Sequence, residues 1–280
     1  MHNTGLVLEG GGMRGLYTAG VLRYLMEQDI YVPYTIGVSA GACNGSSYIA
    51  RQIDRNYAAN IDYVSHPEYL SYKRFLKKRE LFGMDFIFDK IPNELVPFDI
   101  KAFCEAKEQF VVGVTDCVTG EPVYYRKEHL IKDITTILRA SSSIPFFAPE
   151  ISYDGRMLLD GGVADPIPIQ KSQADGNTKN IVVLTGNKGY MKASSLDWLG
   201  KRKYKNYQGL LKALRKRHIV YNDTIRYLEE QEEKGLVVII RPLVKSDVSR
   251  VERNPKKLKK LYNQGYAEAK AAYGKIKRLL

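Results

Sequence analysis

Cysteine is scarce. There are three in 280 residues, Cys43, Cys104 and Cys117, an odd number without metal-site spacing. That argues against a disulfide framework and reads as free thiols in a reducing, cytoplasmic setting. Histidine is scarce too: His2, His66, His129 and His218 are the full set. None ends an apolar strand or sits in a small-residue turn, so a Ser–His–Asp triad has no evident base. No apolar run approaches the ~18 residues needed to cross a bilayer. The start, Met1-His2-Asn3-Thr4, has no basic segment, so no signal peptide is expected. Internal repeats, low-complexity tracts and metal-ligand clusters are absent, and no cofactor or metal is expected.

Charge is not scarce but uneven. The net charge is +12, from 43 basic and 31 acidic residues. Residues 198–222 hold eight Lys/Arg and no acid, and residues 245–280 hold eleven bases and three acids. The excess is expected to lie on these appendages. It implies an anionic partner, with peripheral association at an anionic membrane surface preferred and nucleic acid not expected.

The chain is organised around Thr35-Ile36-Gly37-Val38-Ser39-Ala40-Gly41. A short apolar run ends in G-x-S-x-G. Small residues on either side of Ser39 let a strand turn sharply into a helix, which exposes the hydroxyl above the helix N-terminus. Gly37, Val38, Ala40 and Gly41 form this elbow, and Ser39 is the candidate nucleophile. A plain tight strand–helix turn is the competing reading.

Upstream, Gly5-Leu6-Val7-Leu8-Glu9 has a buried-strand pattern and runs into Gly10-Gly11-Gly12-Met13-Arg14-Gly15. Leu16, Ala19, Leu22 and Met26 then follow at helical spacing. Strand, glycine loop and helix make an anion cradle. Gly10, Gly12 and Gly15 fit G-x-G-x-x-G, but a dinucleotide site needs an acid at the end of the second strand, ~20 residues on. Pro33-Tyr34-Thr35-Ile36 supplies none. An oxyanion generated at Ser39 is the better occupant, with a purely structural turn also open. Arg14 could bind a lipid phosphate or, the preferred reading, brace the loop through an acidic partner.

Residues 51–109 read as a mostly helical insertion in which Leu81-Phe82-Gly83-Met84-Asp85-Phe86-Ile87-Phe88 is unusually apolar, with breaks at Pro92 and Pro97. Core packing is preferred there over a wall or lid for an acyl chain. Phe110 to Thr115 and Pro122 to Tyr125 are strands around a turn at Thr119-Gly120-Glu121. Ser141, Ser142 and Ser143 read as small packing residues beside the site. In Met157-Leu158-Leu159-Asp160-Gly161-Gly162 an acid ends an apolar strand before a tight turn. With no suitable histidine, Asp160 is left as the base in a two-residue Ser–Asp arrangement. A carboxylate with a pKa of ~3.9 is a weak base at neutral pH, so it needs direct contact with the hydroxyl and a pKa raised by burial.

The glycine loop, the G-x-S-x-G elbow, Arg139-Ala140-Ser141-Ser142 and Asp160-Gly161-Gly162 occur in the order seen in patatin-like phospholipases. The resemblance covers roughly residues 4–169, and the four motifs together are highly specific. It implies an α/β fold, three-layer α/β/α, with a central, mostly parallel sheet flanked by helices. It implies acyl-ester hydrolysis of lipids, of phospholipase A or lysophospholipase type, without a metal. Ser39 maps to the nucleophile and Asp160 to its dyad partner. Gly10, Gly11, Gly12, Met13, Arg14 and Gly15 map to the oxyanion loop, and Gly161 and Gly162 to the turn after the aspartate. Asp165 stands where many members carry Asn. A catalytically inert lipid-surface binding protein is the reading from another class.

The expected organisation is a catalytic domain over residues 1–192 and a basic, mainly helical extension over residues 193–280, packed on it. Within the extension, Trp198 to Tyr221 suits either an interfacial helix or a charged helix packed on the core, the latter preferred. A strand is expected at about residues 236–240. Asn254-Pro255 caps a final helix whose Leu258, Leu261, Gly265, Ala269, Ala272 and Ile276 form one docking face.

Overall fold

The structure is a computed structural model that describes residues 4–194 and 203–280. His2 and Trp198 lie outside the described residues. Eight strands form one mixed sheet: β1 (Thr4–Leu8), β2 (Tyr34–Val38), β3 (Gln109–Asp116), β4 (Pro122–Arg126), β5 (Ile151–Tyr153), β6 (Arg156–Asp160), β7 (Lys179–Val183) and β8 (Val237–Ile240). Five of them, in the order β3-β2-β1-β7-β8, run parallel. Their apolar runs reflect burial on both faces, as parallel sheets require.

Helices cover both faces. On one, Leu6, Leu8, Val112, Ile181 and Val238 pack against α1 (Leu16–Glu27), α2 (Ala40–Ile49), α6 (Lys127–Ser141) and α9 (Pro255–Leu279). On the other, Val7, Ile36, Val111 and Val182 pack against α7 (Ile169–Ala174) and α8 (Gln208–Glu233). The alternation of Leu6, Val7 and Leu8 between the two cores is the period of two that strand geometry imposes.

The insertion contains α3 (Arg55–Tyr57) running into a π turn at Ala58–Asp62, α4 (Tyr72–Lys78), a π-helical stretch at Phe86–Leu95 and α5 (Ile100–Glu105). Pro92 does not break this stretch as the sequence suggested. It lies inside the wide turns that continue to Leu95.

The C-terminal segment is no loose appendage. β8 extends the sheet beside β7, and the Leu210, Tyr221, Ile225 and Leu228 face of α8 is buried. Helix α9 crosses α1 so closely that an added Cβ at Gly20 would stand 2.9 Å from the Tyr262 carbonyl carbon, and one at Gly265 2.9 Å from that of Tyr17. Asn254 Oδ1 caps α9 by accepting from the Lys256 amide, with Pro255 in the first turn.

Strand register places the site. One edge of β3 pairs with β4 over Val111–Thr115. The other edge pairs with β2 as far as Val38 opposite Gly113. There β2 leaves the sheet, and antiparallel β6 takes over from Val114, which faces Asp160. The last residue of β6 therefore meets the first residue after β2 head-on.

Candidate active site

Ser39 sits between β2 and α2 with φ 54° and ψ −129°, a region that side chains avoid. Such strain, about 1–3 kcal/mol, persists only where surrounding structure enforces it. Here the close approach does so: an added Cβ at Gly41 would lie 2.7 Å from the Glu9 carbonyl oxygen, and one at Gly37 2.8 Å from the Ala42 amide nitrogen. A serine before a helix ordinarily caps it by accepting from a backbone amide. Ser39 does not. Its Oγ donates to Asp160 Oδ2 at 2.7 Å.

Both groups are buried, Ser39 at 5% and Asp160 at 4% exposure. The other carboxylate oxygen, Oδ1, accepts from the Gly162 amide at 2.7 Å. Thr115 Oγ1 donates to the Asp160 carbonyl and accepts from the Ala164 amide, fixing the turn. Burial pushes the Asp160 carboxyl above the ordinary carboxylate range. Arg217, the Ser39 hydroxyl, the Gly162 amide and Arg250 pull the other way without cancelling it. A carboxylate so raised is a stronger base than an ordinary aspartate. None of the described histidines lines the site. His66 stacks on Phe86 and His129 lies edge-on to Tyr125.

The glycine loop lies directly over the elbow: a Cβ at Gly10 would stand 2.9 Å from Ser39 Cβ. Not all of the expected oxyanion donors are free. The Met13 amide donates to the Arg250 carbonyl and the Arg14 amide to Gly11 O, because Gly12–Gly15 closes into a 3-10 turn. Those two amides are committed. The amides of Gly10, Gly11 and Gly12 have no acceptor among the described residues. Gly12 holds φ +55°, and a Cβ there would stand 2.6 Å from Arg250 O. Gly15 packs on α2, where Asn44 Nδ2 donates to its carbonyl.

The expected acidic brace of Arg14 is not found among the described residues. Its guanidinium lies over the Tyr190 ring at 5.5 Å, and its Nε and Nη2 are buried without a partner. Asp165 braces the turn instead. Its carboxylate accepts from the Tyr124 hydroxyl at 2.6 Å and its amide donates to Gly161 O.

Ser141 has more than a packing role. It accepts from the Ser39 amide at 2.8 Å and donates to the Gly113 carbonyl at 2.7 Å, pinning the elbow to β3. Nothing local distinguishes it from Ser142 or Ser143. A cavity of about 390 Å³ opens beside Ser39, and Phe82, Met84, Ile87, Phe88 and Ile91 line it. The apolar stretch of the insertion is therefore a cavity wall as well as core. A second, smaller cleft meets this cavity at Gly12 and Ser39 and is lined by Asp160, Lys192, Arg217 and Arg250. Arg217 and Arg250, one from each basic stretch, thus reach the serine, although most of the excess stays on those stretches. Arg217 Nε donates to Gly162 O at 2.6 Å, and the Arg250 segment holds the glycine loop.

A model of the patatin-like phospholipase family matches residues 6–171. A second, a domain of unknown function (DUF6363), matches residues 207–280. The chain is 29% identical over 185 residues to the uncharacterized protein YjjU of Escherichia coli (strain K12), covering 64% of this chain and 51% of that protein. It is 28% identical over 180 residues to lysophospholipase nte1 of Aspergillus terreus, covering 60% of this chain and 11% of that protein. It thus spans about half the length of the first relative and about a tenth of the second. Among solved structures, VipD from Legionella pneumophila aligns over 97% of this chain and 66% of that one, at 12% identity and a TM-score of 0.49.

Proposed function

The chain belongs to the patatin-like phospholipase family, and on that premise we propose that it is a lipid hydrolase that cleaves carboxylic esters through a Ser39–Asp160 dyad. The observation that carries this reading is the 2.7 Å hydrogen bond from Ser39 Oγ to a buried carboxylate with a raised pKa. Ser39 Oγ attacks the ester carbonyl carbon while Asp160 takes its proton. The negative charge on the former carbonyl oxygen falls to the uncommitted glycine amides, each well-placed donor contributing about 3–4 kcal/mol. Asp160 then protonates the departing alcohol. A water, deprotonated by the same carboxylate, releases the fatty acid from Ser39. The apolar cavity suits the acyl chain.

Hydrolysis of a p-nitrophenyl ester tests this. Ser39→Ala should abolish turnover in a folded protein, and turnover near the wild-type rate would refute the assignment.

Among the described residues no helix is long and apolar enough to cross a membrane. The enzyme reaches lipid by peripheral association, in this reading. Exposed Met191 follows β7 and exposed Leu243 and Val244 follow β8. These strands are adjacent and parallel, so the loops leave the sheet at one end, the end that carries Ser39. Co-sedimentation with anionic but not neutral vesicles, weakened by salt, is expected. Equal sedimentation with both would contradict it.

A further inference from the structure

The second cleft gathers three basic side chains against two carboxylates, Glu9 and Asp160. Glu9 and Asp160 are both engaged. Glu9 Oε2 accepts from the Thr185 amide at 2.6 Å and from its hydroxyl at 3.1 Å, and Asp160 accepts from Ser39 and Gly162. Against them stand Lys192, Arg217 and Arg250. Among the described residues, none of the three forms a salt bridge. Lys192 is held by its backbone, which exchanges hydrogen bonds with the Asn222 side chain. Its ammonium lies over the Tyr221 ring, 4.4 Å from the centroid. Arg217 spends Nε on Gly162 O and brings Nη2 within 3.5 Å of where a Gly162 Cβ would be. Arg250 is fixed by its own carbonyl to the Met13 amide. Burial, then Arg217 and Arg250, push Lys192 down to about 6. Lys192 is then largely neutral at pH 7 in the empty cleft, and an anion bound between it and the two arginines would restore its charge.

We propose that Lys192, Arg217 and Arg250 form a subsite for a phosphate group carried on the alcohol side of the scissile ester. The placement follows from the two spaces that meet at Ser39 and Gly12. An ester carbonyl at Ser39 with its chain in the apolar cavity directs its alcohol half toward the mouth of the basic cleft, which has room for little more than the phosphate oxygens. The substrate is then a phosphate-bearing acylglycerol and not a neutral one. All three cations lie outside the segment that matches the phospholipase family, and two lie in the domain of unknown function. That domain thereby completes the site and selects the head group. The placement beside the ester rests on Ser39 being the nucleophile; the cation cluster itself does not.

The test is equilibrium binding, so that it stands apart from turnover. The full chain carrying Ser39→Ala is titrated with an alkyl glycerol ether and with its phosphate monoester, both below their micelle concentrations. The phosphate should bind at least about tenfold tighter, as charge-assisted contacts to several cations predict. Adding Lys192→Gln and Arg250→Gln should erase most of that preference. Adding Lys259→Gln and Lys260→Gln, which removes two basic side chains from the exposed face of α9, should preserve it. If the double cleft variant fails to fold, Lys192→Gln alone should still lower the preference by about threefold. Equal binding of the two ethers overturns the proposal. So does a preference that survives the cleft variants or falls equally in the surface variant. Inorganic phosphate binding as tightly as the lipid phosphate would mark a free-anion site and overturn the lipid assignment. Failure of the hydrolase reading shows separately, as absence of fluorophosphonate labelling at Ser39 in the unmutated protein.

Discussion

Gly161→Ala tests how the sheet register builds the dyad. Gly161 follows Asp160 where β6 abuts β3. An added Cβ would stand 2.6 Å from the Gly113 carbonyl carbon and 3.0 Å from Val38 Cγ1, and closer still to the Gly113 oxygen. Carbon atoms pack at about 3.5–4.0 Å, so relief requires a shift of about 1 Å. Backbone lies on both sides of the clash, and the end of β6 must move away from β3, taking Asp160 from Ser39. A displacement of that size costs about a hundredfold in rate. The overpacking itself costs about 1–3 kcal/mol. Steady-state hydrolysis of a p-nitrophenyl ester reads the first and urea unfolding the second. A variant with kcat within about twofold of wild type and an unchanged unfolding midpoint would show that this packing does not position the carboxylate.

The acid limb of kcat/KM should lie above the ordinary aspartate value of ~3.9, because burial raises Asp160 and, in the proposed mechanism, only its ionised form takes the serine proton. Arg250→Gln should move that limb to higher pH, and an unmoved limb would remove Arg250 from the balance. Stability follows the opposite sign. A carboxyl raised in the folded state loses stability as pH rises from ~3.9 through its folded pKa. Asp160→Asn should therefore melt no lower than wild type at pH 8, with the difference closing at pH 4; a lower melting temperature at pH 8 would reverse the sign. Gly274 lies inside α9 with open space where a Cβ would go. Gly274→Ala should stabilise by about 1 kcal/mol in urea titration. Gly265→Ala, which drives a methyl into the Tyr17 backbone, should destabilise by at least about 1–3 kcal/mol; wild-type stability would mean that α1 and α9 do not cross as described.

The parts of the site carried by contiguous residues were legible in the sequence. Gly37 to Gly41 announces the elbow because the steric demand falls on residues within two positions of Ser39. Gly10 to Gly15 announces the loop, and Met157 to Gly162 shows an acid ending a strand. What stayed hidden depends on register. No local pattern says that β6 takes over the edge of β3 where β2 leaves it, which is what brings Asp160 to Ser39. Ser141 was passed over because its two neighbours are also serines and only the fold aims one of them at the Ser39 amide. The two arginines of the cleft went unnoticed for the same reason. Arg217 and Arg250 belong to charge-rich stretches that resemble solvated faces, yet α8 and the loop before α9 carry them back over the glycine loop. Met13 and Arg14 matched a motif position, but the 3-10 turn and the Arg250 carbonyl consume their amides.

The central claim is that a carboxylate acting directly, without an imidazole, makes Ser39 reactive. Its most direct test is to map fluorophosphonate attachment by peptide mass spectrometry in the wild type and in Asp160→Asn, following the rate of labelling. The account predicts a single adduct on the peptide containing Ser39, forming about a hundredfold to ten-thousandfold more slowly once the carboxylate is gone. An adduct on another residue, or labelling of Asp160→Asn at the wild-type rate, would contradict it.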